Sequence, residues 1–232
     1  MSDQTHLSDA IRRCREQCRV PVIVDIKPIS PKDGDLLRQR RPADLARAAE
    51  QAGACAVSVV TEARHFGGSI DMLEEIAAAC SLPVLQKDFF QSPKQVDQGH
   101  QAGADAMLII MANTSDETAL ALHRRAIRLG MESVVEVHTP AELERSLKLA
   151  PTIIGINNRN ILRLEKDGGD VRVTEALAPE VPQDILIVSE SSLKSCDDVR
   201  RAVRAGADAV LIGTAILQAE DLEARLAELT RA

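Results

Sequence analysis

The sequence predicts a single α/β domain, a (β/α)8 TIM barrel spanning residues 1–232. Three observations predict it. Eight short apolar runs alternate with amphipathic stretches whose apolar residues are three and four positions apart. A nearly identical Ala-Gly-Ala turn precedes three of the runs. No linker-like stretch divides the 232 residues, a length that suits one large α/β domain.

The predicted strands and helices follow from the apolar spacing. The strands are nearly continuous in Val, Ile and Leu, as expected of parallel strands that are buried on both faces. We predict strands at 22–27, 56–62, 83–89, 106–111, 133–138, 153–157, 185–190 and 209–213. We predict helices at 43–52, 71–79, 92–101, 117–129, 140–149, 196–204 and 220–229, with another at 7–18 before the first strand.

A repeated turn joins a helix to a strand at three places. Its glycines, Gly53, Gly103 and Gly206, suit the left-handed residue that ends a helix. They are 50 and 103 residues apart, close to two and four βα units of about 26 residues. The main alternative is an open doubly wound sheet, but no G-x-G-x-x-G motif follows the first strand. The repeat therefore favours a closed barrel.

Composition and charge exclude several classes of function. The net charge of −7 and the lack of Trp and Tyr disfavour a nucleic-acid partner, which needs cations and stacking rings. The five cysteines show neither a CxxC motif nor a zinc-site spacing, so we expect no metal. No apolar run is long enough to cross a membrane, and the N-terminus has no secretory h-region. We therefore expect no membrane partner and a cytoplasmic location.

Polar residues stand at the carboxyl ends of the predicted strands, where barrel enzymes place their active sites. One charged residue at a barrel rim is usually structural, because a neighbour can satisfy it. Two lysines, carboxylates and an asparagine that converge on one mouth indicate a catalytic site, since buried charges are costly unless they are paired. These residues are Asp25, Lys27, Lys87, Glu136, Asn157, Arg159 and Glu190.

The ends of the seventh and eighth strands carry small residues and hydroxyl groups. In barrel enzymes the loops at these two places commonly bind phosphate through backbone N–H groups. Ser191 and Ser192 follow the seventh strand, and Gly213 and Thr214 follow the eighth. Each pair alone is compatible with an ordinary tight turn. Together they favour a phosphorylated small-molecule substrate.

Seven motifs, spread over nearly the whole chain from Leu7, point to one family. They are Lys27-x-x-Ser30-Pro31, Ser58-Val59-Val60-Thr61-Glu62, Phe66-Gly67-Gly68-Ser69, Pro83-Val84-Leu85-x-Lys87-Asp88-Phe89, Val135-Glu136-Val137-His138, Gly155-Ile156-Asn157-Asn158-Arg159 and Val188-Ser189-Glu190-Ser191. In these motifs the chain resembles the indole-3-glycerol phosphate synthases. The resemblance implies a lyase of tryptophan biosynthesis that closes and decarboxylates a carboxyphenylamino-deoxyribulose phosphate, with no cofactor.

The resemblance also implies roles for individual residues. Lys87 is expected to be the general acid for the substrate carbonyl. Independently of the resemblance, protonating a ketone needs a positioned acid, and a lysine beside other cations and apolar walls can have its pKa lowered toward that task. Glu136 is expected to be the general base of the later dehydration, and Lys27 to bind the anthranilate carboxylate, the phosphate side or both. Asn157 and Arg159 are expected to orient the catalytic groups and the substrate. The residues expected to hold the phosphate are Ser191, Gly213 and Thr214, with Ser192 beside them. Those expected to line the pocket for the aromatic ring are Phe89, Leu108, Ile161 and Ile212. Two further residues of the motifs, Ser30 and Glu190, are also expected to contact the substrate.

Three features differ from the family pattern. The family usually has Glu where this chain has Asp25, and a small displacement of a catalytic group can be expensive. It usually has Gly where this chain has Ser192. It also begins with an extra helix over the barrel mouth, whereas a short helical segment, 1–20, precedes the barrel at 21–232 here. The resemblance therefore implies a shortened N-terminal extension.

Two alternatives to the synthase remain open from the sequence. One is a related phosphate-binding barrel enzyme, an isomerase or an aldolase, and an aldolase would form a Schiff base on Lys87 or Lys27. The other is a non-catalytic protein that binds a phosphorylated metabolite, an interpretation motivated by Asp25 and the shortened N-terminus. The helical exterior is compatible with a monomer or a homodimer.

Overall fold

The aliphatic runs form eight parallel strands that close into a barrel. The computed structural model describes residues 6–161 and 168–232. Each strand pairs with the next one in the chain and the last pairs with the first, which excludes the open doubly wound sheet. The strands are β1 Val22–Ile26, β2 Ala56–Val60, β3 Val84–Lys87, β4 Ala106–Ile110, β5 Glu132–Val137, β6 Ile153–Asn157, β7 Leu186–Glu190 and β8 Ala209–Ile212.

Helices surround the barrel, and polar side chains define where many of them begin. The side chains of Ser69, Ser115, Thr139, Ser195 and Asp221 each accept a hydrogen bond from a backbone N–H group in the first turn of the helix that follows.

Among the helices of the described residues, none combines the length and the apolar character that a membrane span requires. The helices are α1 Leu7–Glu16, α2 Pro42–Gln51, α3 Ala63–Phe66, α4 Ile70–Ala77, α5 Pro93–Gln101, α6 Asp116–Arg128, α7 Pro140–Leu147, α8 Arg172–Leu177, α9 Cys196–Ala205, α10 Thr214–Leu217 and α11 Leu222–Leu229.

Every predicted strand and helix is present, with bounds that differ by at most two residues. The repeated turns are also as predicted, because Gly53, Gly103 and Gly206 have φ values of 86°, 92° and 114°. The sequence does not predict α3, α8 or α10, nor the hairpin that pairs Ile29–Ser30 with Gly34–Asp35. These segments are too short to show a hydrophobic period.

The apolar core consists of two clusters separated by the sheet. The outer cluster joins the helices to the outward-facing strand residues, such as Val24 and Ile154. The inner cluster fills the barrel with inward-facing residues, such as Ile23, Leu85 and Val134. Strand residues are therefore buried on both faces, which accounts for their nearly continuous aliphatic sequence.

Helix α1 closes the end of the barrel at which the strands begin. Leu7 and Ile11 are fully buried and belong to the inner cluster with Ile23. The backbone N–H of Ser8 donates to the carboxylate of Glu132, at the start of β5, at 2.9 Å. The helix thus lies at the end opposite the mouth. Residues 1–5 of the predicted segment 1–20 lie outside the described residues.

Candidate active site

Side-chain alternation in the strands brings the predicted polar residues together. Residues two apart in a strand point to the same face of the sheet. In β5, Val134 belongs to the inner cluster, and Glu136 lies two residues further toward the mouth. Val188 and Glu190 have the same relation in β7. The barrel interior therefore changes from apolar to charged toward the carboxyl ends of its strands.

A cavity of about 590 Å³ lies at this end of the barrel and includes nearly all predicted site residues. Ser30 is not on its wall, because its hydroxyl group is held in the turn after β1, where it donates to the Asp33 carboxylate at 3.1 Å. Glu190 lies beneath the cavity, fully buried. The predicted residues on the wall are Asp25, Lys27, Lys87, Phe89, Leu108, Glu136, Asn157, Arg159, Ile161, Ser191, Ser192, Ile212, Gly213 and Thr214.

An ion pair crosses the barrel beneath the cavity. Nζ of Lys87, on β3, lies 2.7 Å from Oε2 of Glu190, on the opposite strand β7. Gly155 of β6 makes room for this carboxylate, because a Cβ atom there would lie 2.2 Å from Oε1 of Glu190. The pair fixes the Lys87 ammonium group at the cavity floor.

The surroundings of Lys87 favour its charged form. Burial by itself lowers the pKa of an ammonium group, but the carboxylates of Glu190, Asp25 and Glu136 outweigh it and raise the pKa of Lys87 above its ordinary value. The predicted lowering of this pKa is wrong, because carboxylates rather than cations face the ammonium group. At neutral pH Lys87 therefore carries its positive charge.

Glu136 is a buried carboxyl group that titrates near neutral pH. Burial and then the negative charge of Glu190 raise its pKa to about 7, although Lys87 and a hydrogen bond from Asn157 oppose the shift. Its Oε2 atom has no hydrogen-bond partner among the described residues. A carboxylate with this pKa can accept a proton efficiently at neutral pH, which suits a general base.

Asp25 is anchored to the neighbouring strand. The register of β1 and β2 places it beside Ser58, whose hydroxyl group donates to Oδ1 at 2.9 Å. Nζ of Lys27 lies 3.8 Å from Oδ2, and both side chains are almost fully buried. The sheet itself therefore sets the position of this short carboxylate at the cavity wall.

Asn158 ties the ends of β6 and β7 together, a role that the sequence does not predict. Its side-chain nitrogen donates to the carbonyl groups of Glu190 and Ser191 at 3.0 and 3.2 Å. Its side-chain oxygen accepts the hydroxyl group of Thr174, on α8, at 3.0 Å. All its polar atoms take part in a buried hydrogen-bond network, which holds the ends of β6 and β7 rigidly next to each other. The family motif contains Asn158, but only the fold brings its partners to it.

The residues predicted to bind phosphate line one part of the cavity. Ser191 and Ser192 both have left-handed backbone conformations after β7. Gly213 is the N-cap of the short helix α10, and Thr214 is its first residue. The first N–H groups of a helix have no partner within the helix, so they can bind an anion.

Other residues on the cavity wall are not among the predicted ones. Lys194 and Arg225 add two cations to the wall. Glu62 is the N-cap of α3 and Phe66 is the last residue of that helix; the Glu62 carboxylate accepts the backbone N–H groups of His65 and Phe66. Glu62 and Phe66 lie in motifs that carry the family resemblance, and those motifs were the available signal for them.

No site for a metal ion is present in the part of the chain that the structure describes. Within residues 6–161 and 168–232, no group of three or more His, Cys, Asp or Glu side chains could hold one. The five cysteines are free thiols.

The family of the chain follows from its match to a family model. Residues 1–229 match the model described as indole-3-glycerol phosphate synthase. The chain belongs to the indole-3-glycerol phosphate synthase family. The family and the barrel fold predicted from the sequence are thereby confirmed.

Individual synthases are similar to the chain over almost its full length. It is 44% identical to the indole-3-glycerol phosphate synthase of Pyrococcus furiosus, over 93% of this chain and 92% of that enzyme. It is 41% identical to the synthase of Thermococcus kodakarensis, over 96% of each chain. It is 42% identical to the synthase of Haloarcula marismortui, over 97% of this chain and 83% of that enzyme.

Solved structures support the fold alone. A 4-hydroxy-2-oxoglutarate aldolase superposes with a TM-score of 0.68 at 17% identity, over 97% of this chain and 98% of that one. A mandelate oxidase variant superposes with a TM-score of 0.68 at 19% identity, over 90% of this chain and 70% of that one. At these identities the barrel is shared and the chemistry does not follow.

Proposed function

We propose that the cavity is the site at which the chain converts 1-(2-carboxyphenylamino)-1-deoxyribulose 5-phosphate into indole-3-glycerol phosphate, CO₂ and water. Family membership makes the chain a decarboxylating lyase of tryptophan biosynthesis. The observation that carries the proposal is the meeting of two groups on one cavity: a charged Lys87, and Glu136 with a pKa of about 7.

Ring closure needs an acid, and Lys87 supplies it. The ring carbon that bears the carboxylate attacks the ketone carbon, and a carbon–carbon bond forms. The carbonyl oxygen takes a proton from Nζ of Lys87, which Glu190 holds in place at 2.7 Å. Loss of CO₂ from the same ring carbon returns the bonding electrons to the ring and restores its aromaticity.

Dehydration needs a base, and Glu136 supplies it. The new hydroxyl group leaves as water while the substrate releases a proton to the Glu136 carboxylate. The departing oxygen leaves as water with the first proton, from Lys87, and a second proton supplied by solvent. Solvent then reprotonates Lys87, and Glu136 returns its proton to solvent. Because the carboxylate leaves as neutral CO₂, each turnover consumes one proton overall. A pKa of about 7 leaves much of Glu136 ionised at neutral pH, so the base is available.

The rest of the cavity suits the two ends of this substrate. Phe89 and Leu108 provide an apolar surface for the ring. Ser191 and Thr214, at the two strand ends typical of phosphate sites, receive the phosphate. Lys27, beside Asp25, binds the carboxylate of the substrate before it leaves.

The aldolase alternative is disfavoured at Lys87. A Schiff base requires the neutral amine, and the three carboxylates around Lys87 favour the ammonium form. Borohydride treatment in the presence of substrate tests this directly. We expect no covalent adduct on Lys87 or Lys27, and an adduct at either lysine would support the aldolase.

Fluorescence of the product tests the function. The chain has no Trp and no Tyr, so indole fluorescence appears against a low background. We expect the wild-type protein to convert the substrate with a rising indole signal. Substrate binding without turnover at micromolar enzyme would instead support a non-catalytic binding protein and reject the proposal.

A further inference from the structure

The turn after β7 holds two serines in a conformation that favours glycine. Ser191 and Ser192 have φ values of 65° and 59°, in the left-handed region where side chains other than glycine are strained. Strained residues persist where the surrounding structure uses them, and they cluster at active sites. The presence of serine at this strained position therefore suggests that its hydroxyl group makes an interaction that glycine could not make.

The hydroxyl group of Ser192 contacts an arginine on the cavity wall. Its Oγ accepts the Nε–H of Arg159 at 3.1 Å, which joins the end of β7 to the segment after β6. Nε lies at the root of the planar guanidinium group, so a bond there restricts rotation of the plane. The backbone N–H of Arg159 donates to Oδ1 of Asn157 at 3.0 Å, which also fixes the base of the side chain.

Gly169 packs directly against this contact. A Cβ atom at Gly169 would lie 2.0 Å from Oγ of Ser192 and 2.5 Å from Cγ of Arg159. Any larger residue would displace one of the two side chains. The backbone at residue 169 thus packs against a half-buried contact, in which only 8% of Arg159 is exposed.

We propose that Ser192 is a positioning residue that orients the Arg159 guanidinium group toward an anionic group of the substrate, and that Gly169 keeps the space for this contact. The inference rests on the proposed function, because it assigns Arg159 to the substrate of that reaction. The hydrogen bond that orients the guanidinium group thus accompanies a strained backbone conformation at Ser192.

Two substitutions distinguish the effect of the strained Ser192 backbone from the effect of its hydroxyl group. Ser192→Gly removes the hydroxyl group and relieves the left-handed strain, whereas Ser192→Ala removes the hydroxyl group and keeps the strain. We expect both variants to raise KM about tenfold with kcat nearly unchanged, as for the loss of a charge-assisted binding contact. The melting temperature of Ser192→Gly should exceed that of Ser192→Ala. An unchanged KM in both variants would overturn the proposal.

Ala150→Gly is the matched control for the backbone effect. Ala150 has a φ of 51°, is exposed and does not line the cavity. This substitution should raise the melting temperature and leave KM unchanged. If it raised KM as Ser192→Gly does, backbone relief and not the hydroxyl group would be the cause, and the proposal would fail.

A double-mutant cycle tests whether Ser192 acts through Arg159. In an Arg159→Lys background, which lacks the Nε–H donor, Ser192→Ala should no longer change KM. An equal rise of KM in both backgrounds would show that Ser192 acts independently of Arg159.

Crystal structures of the wild type and of Ser192→Ala test the positioning role of Ser192 independently of turnover. If the wild-type protein did not turn over the substrate, the proposed function would fail. The Arg159 guanidinium group should still be displaced in the Ser192→Ala structure relative to wild type. An unmoved guanidinium group there would overturn the inference whatever the activity.

Discussion

The two ends of the barrel interior are built on the same strands but have opposite chemistry. At the end closed by α1, the fully buried Leu7 and Ile11 pack with Ile23 in an apolar cluster. At the mouth, the buried Glu190 and the cavity-floor Lys87 form an ion pair. Apolar burial stabilises the fold, whereas buried charges are costly unless paired. We infer that turnover depends on the charged groups at the mouth. Substitutions at the closed end should therefore change stability alone, whereas substitutions within the ion pair should change both turnover and stability.

The largest expected effect is the loss of turnover in Lys87→Met. Because this variant removes the proposed general acid, kcat should fall by about 10²- to 10⁴-fold, measured by indole fluorescence. The variant also leaves Glu190 buried without its cation, which should lower the free energy of unfolding by about 3–5 kcal/mol.

Lys87→Met/Glu190→Gln is the control for that stability loss. It replaces both charges by neutral groups, so it should recover much of the stability in denaturant titrations and none of the turnover. Recovery of turnover in the double variant would show that Lys87 is structural and not the acid.

The matching test at the closed end is Ile11→Ala. Removing this buried side chain should lower the free energy of unfolding by about 2–5 kcal/mol, because it leaves a cavity in the inner cluster. Below the melting transition, kcat/KM should equal that of the wild type. A loss of kcat/KM in the folded variant would show that turnover also depends on the closed end.

The titration of Glu136 predicts a pH dependence of activity. Its pKa of about 7 should appear as the acidic limb of the kcat/KM profile, with activity falling as pH drops through that value. In Glu136→Gln most of the activity and the acidic limb should both disappear. An acidic limb near pH 4.5 in the wild type would assign the base to a different group.

The same carboxyl group predicts a pH dependence of stability. Glu136 has a higher pKa in the folded protein, about 7, than its ordinary value of 4.5, so the folded state binds more protons between these values. Its contribution to stability is complete below pH 4.5 and is lost as pH rises through 7. Chemical denaturation from pH 5 to 8 should therefore show a steeper loss of stability in the wild type than in Glu136→Gln. Equal losses of stability with pH in the two proteins would show that Glu136 is not the group that titrates in this range.

The smallest expected effect is a gain of activity in Asp25→Glu. The Asp25 carboxylate lies 3.8 Å from the Lys27 ammonium group, and one more methylene group allows it to come closer. We expect kcat/KM to rise by about two- to fivefold, since catalytic groups are sensitive to small displacements. A fall would mean that the bond from Ser58 holds the shorter carboxylate where this site needs it.

The sequence predicts the fold in detail because its signals are local. Continuous aliphatic runs predict β1 to β8, and a face of apolar residues predicts the long helices. The hairpin of Ile29–Ser30 with Gly34–Asp35 and the short helices α3, α8 and α10 are not predicted, because two to six residues carry no measurable period.

The site is predicted less completely because its interactions are not local. Lys87 is selected correctly as a wall residue, but the direction of its pKa shift depends on Glu190, which is 103 residues away in the chain. The hydrogen bonds of Asn158 to α8 and β7 depend on the fold in the same way. Residue types and strand ends can be found from the sequence, whereas partners across the barrel require the structure.

In the proposed reaction the cavity couples ring closure to decarboxylation, and the ratio of CO₂ to indole product measures this coupling. The substrate would carry a ¹³C label in its carboxylate, so that CO₂ release and indole fluorescence are followed in the same reaction. We expect one CO₂ for each indole formed in the wild-type protein, and the loss of both products in Lys87→Met. Release of CO₂ without indole, or equal rates in the two proteins, would contradict it.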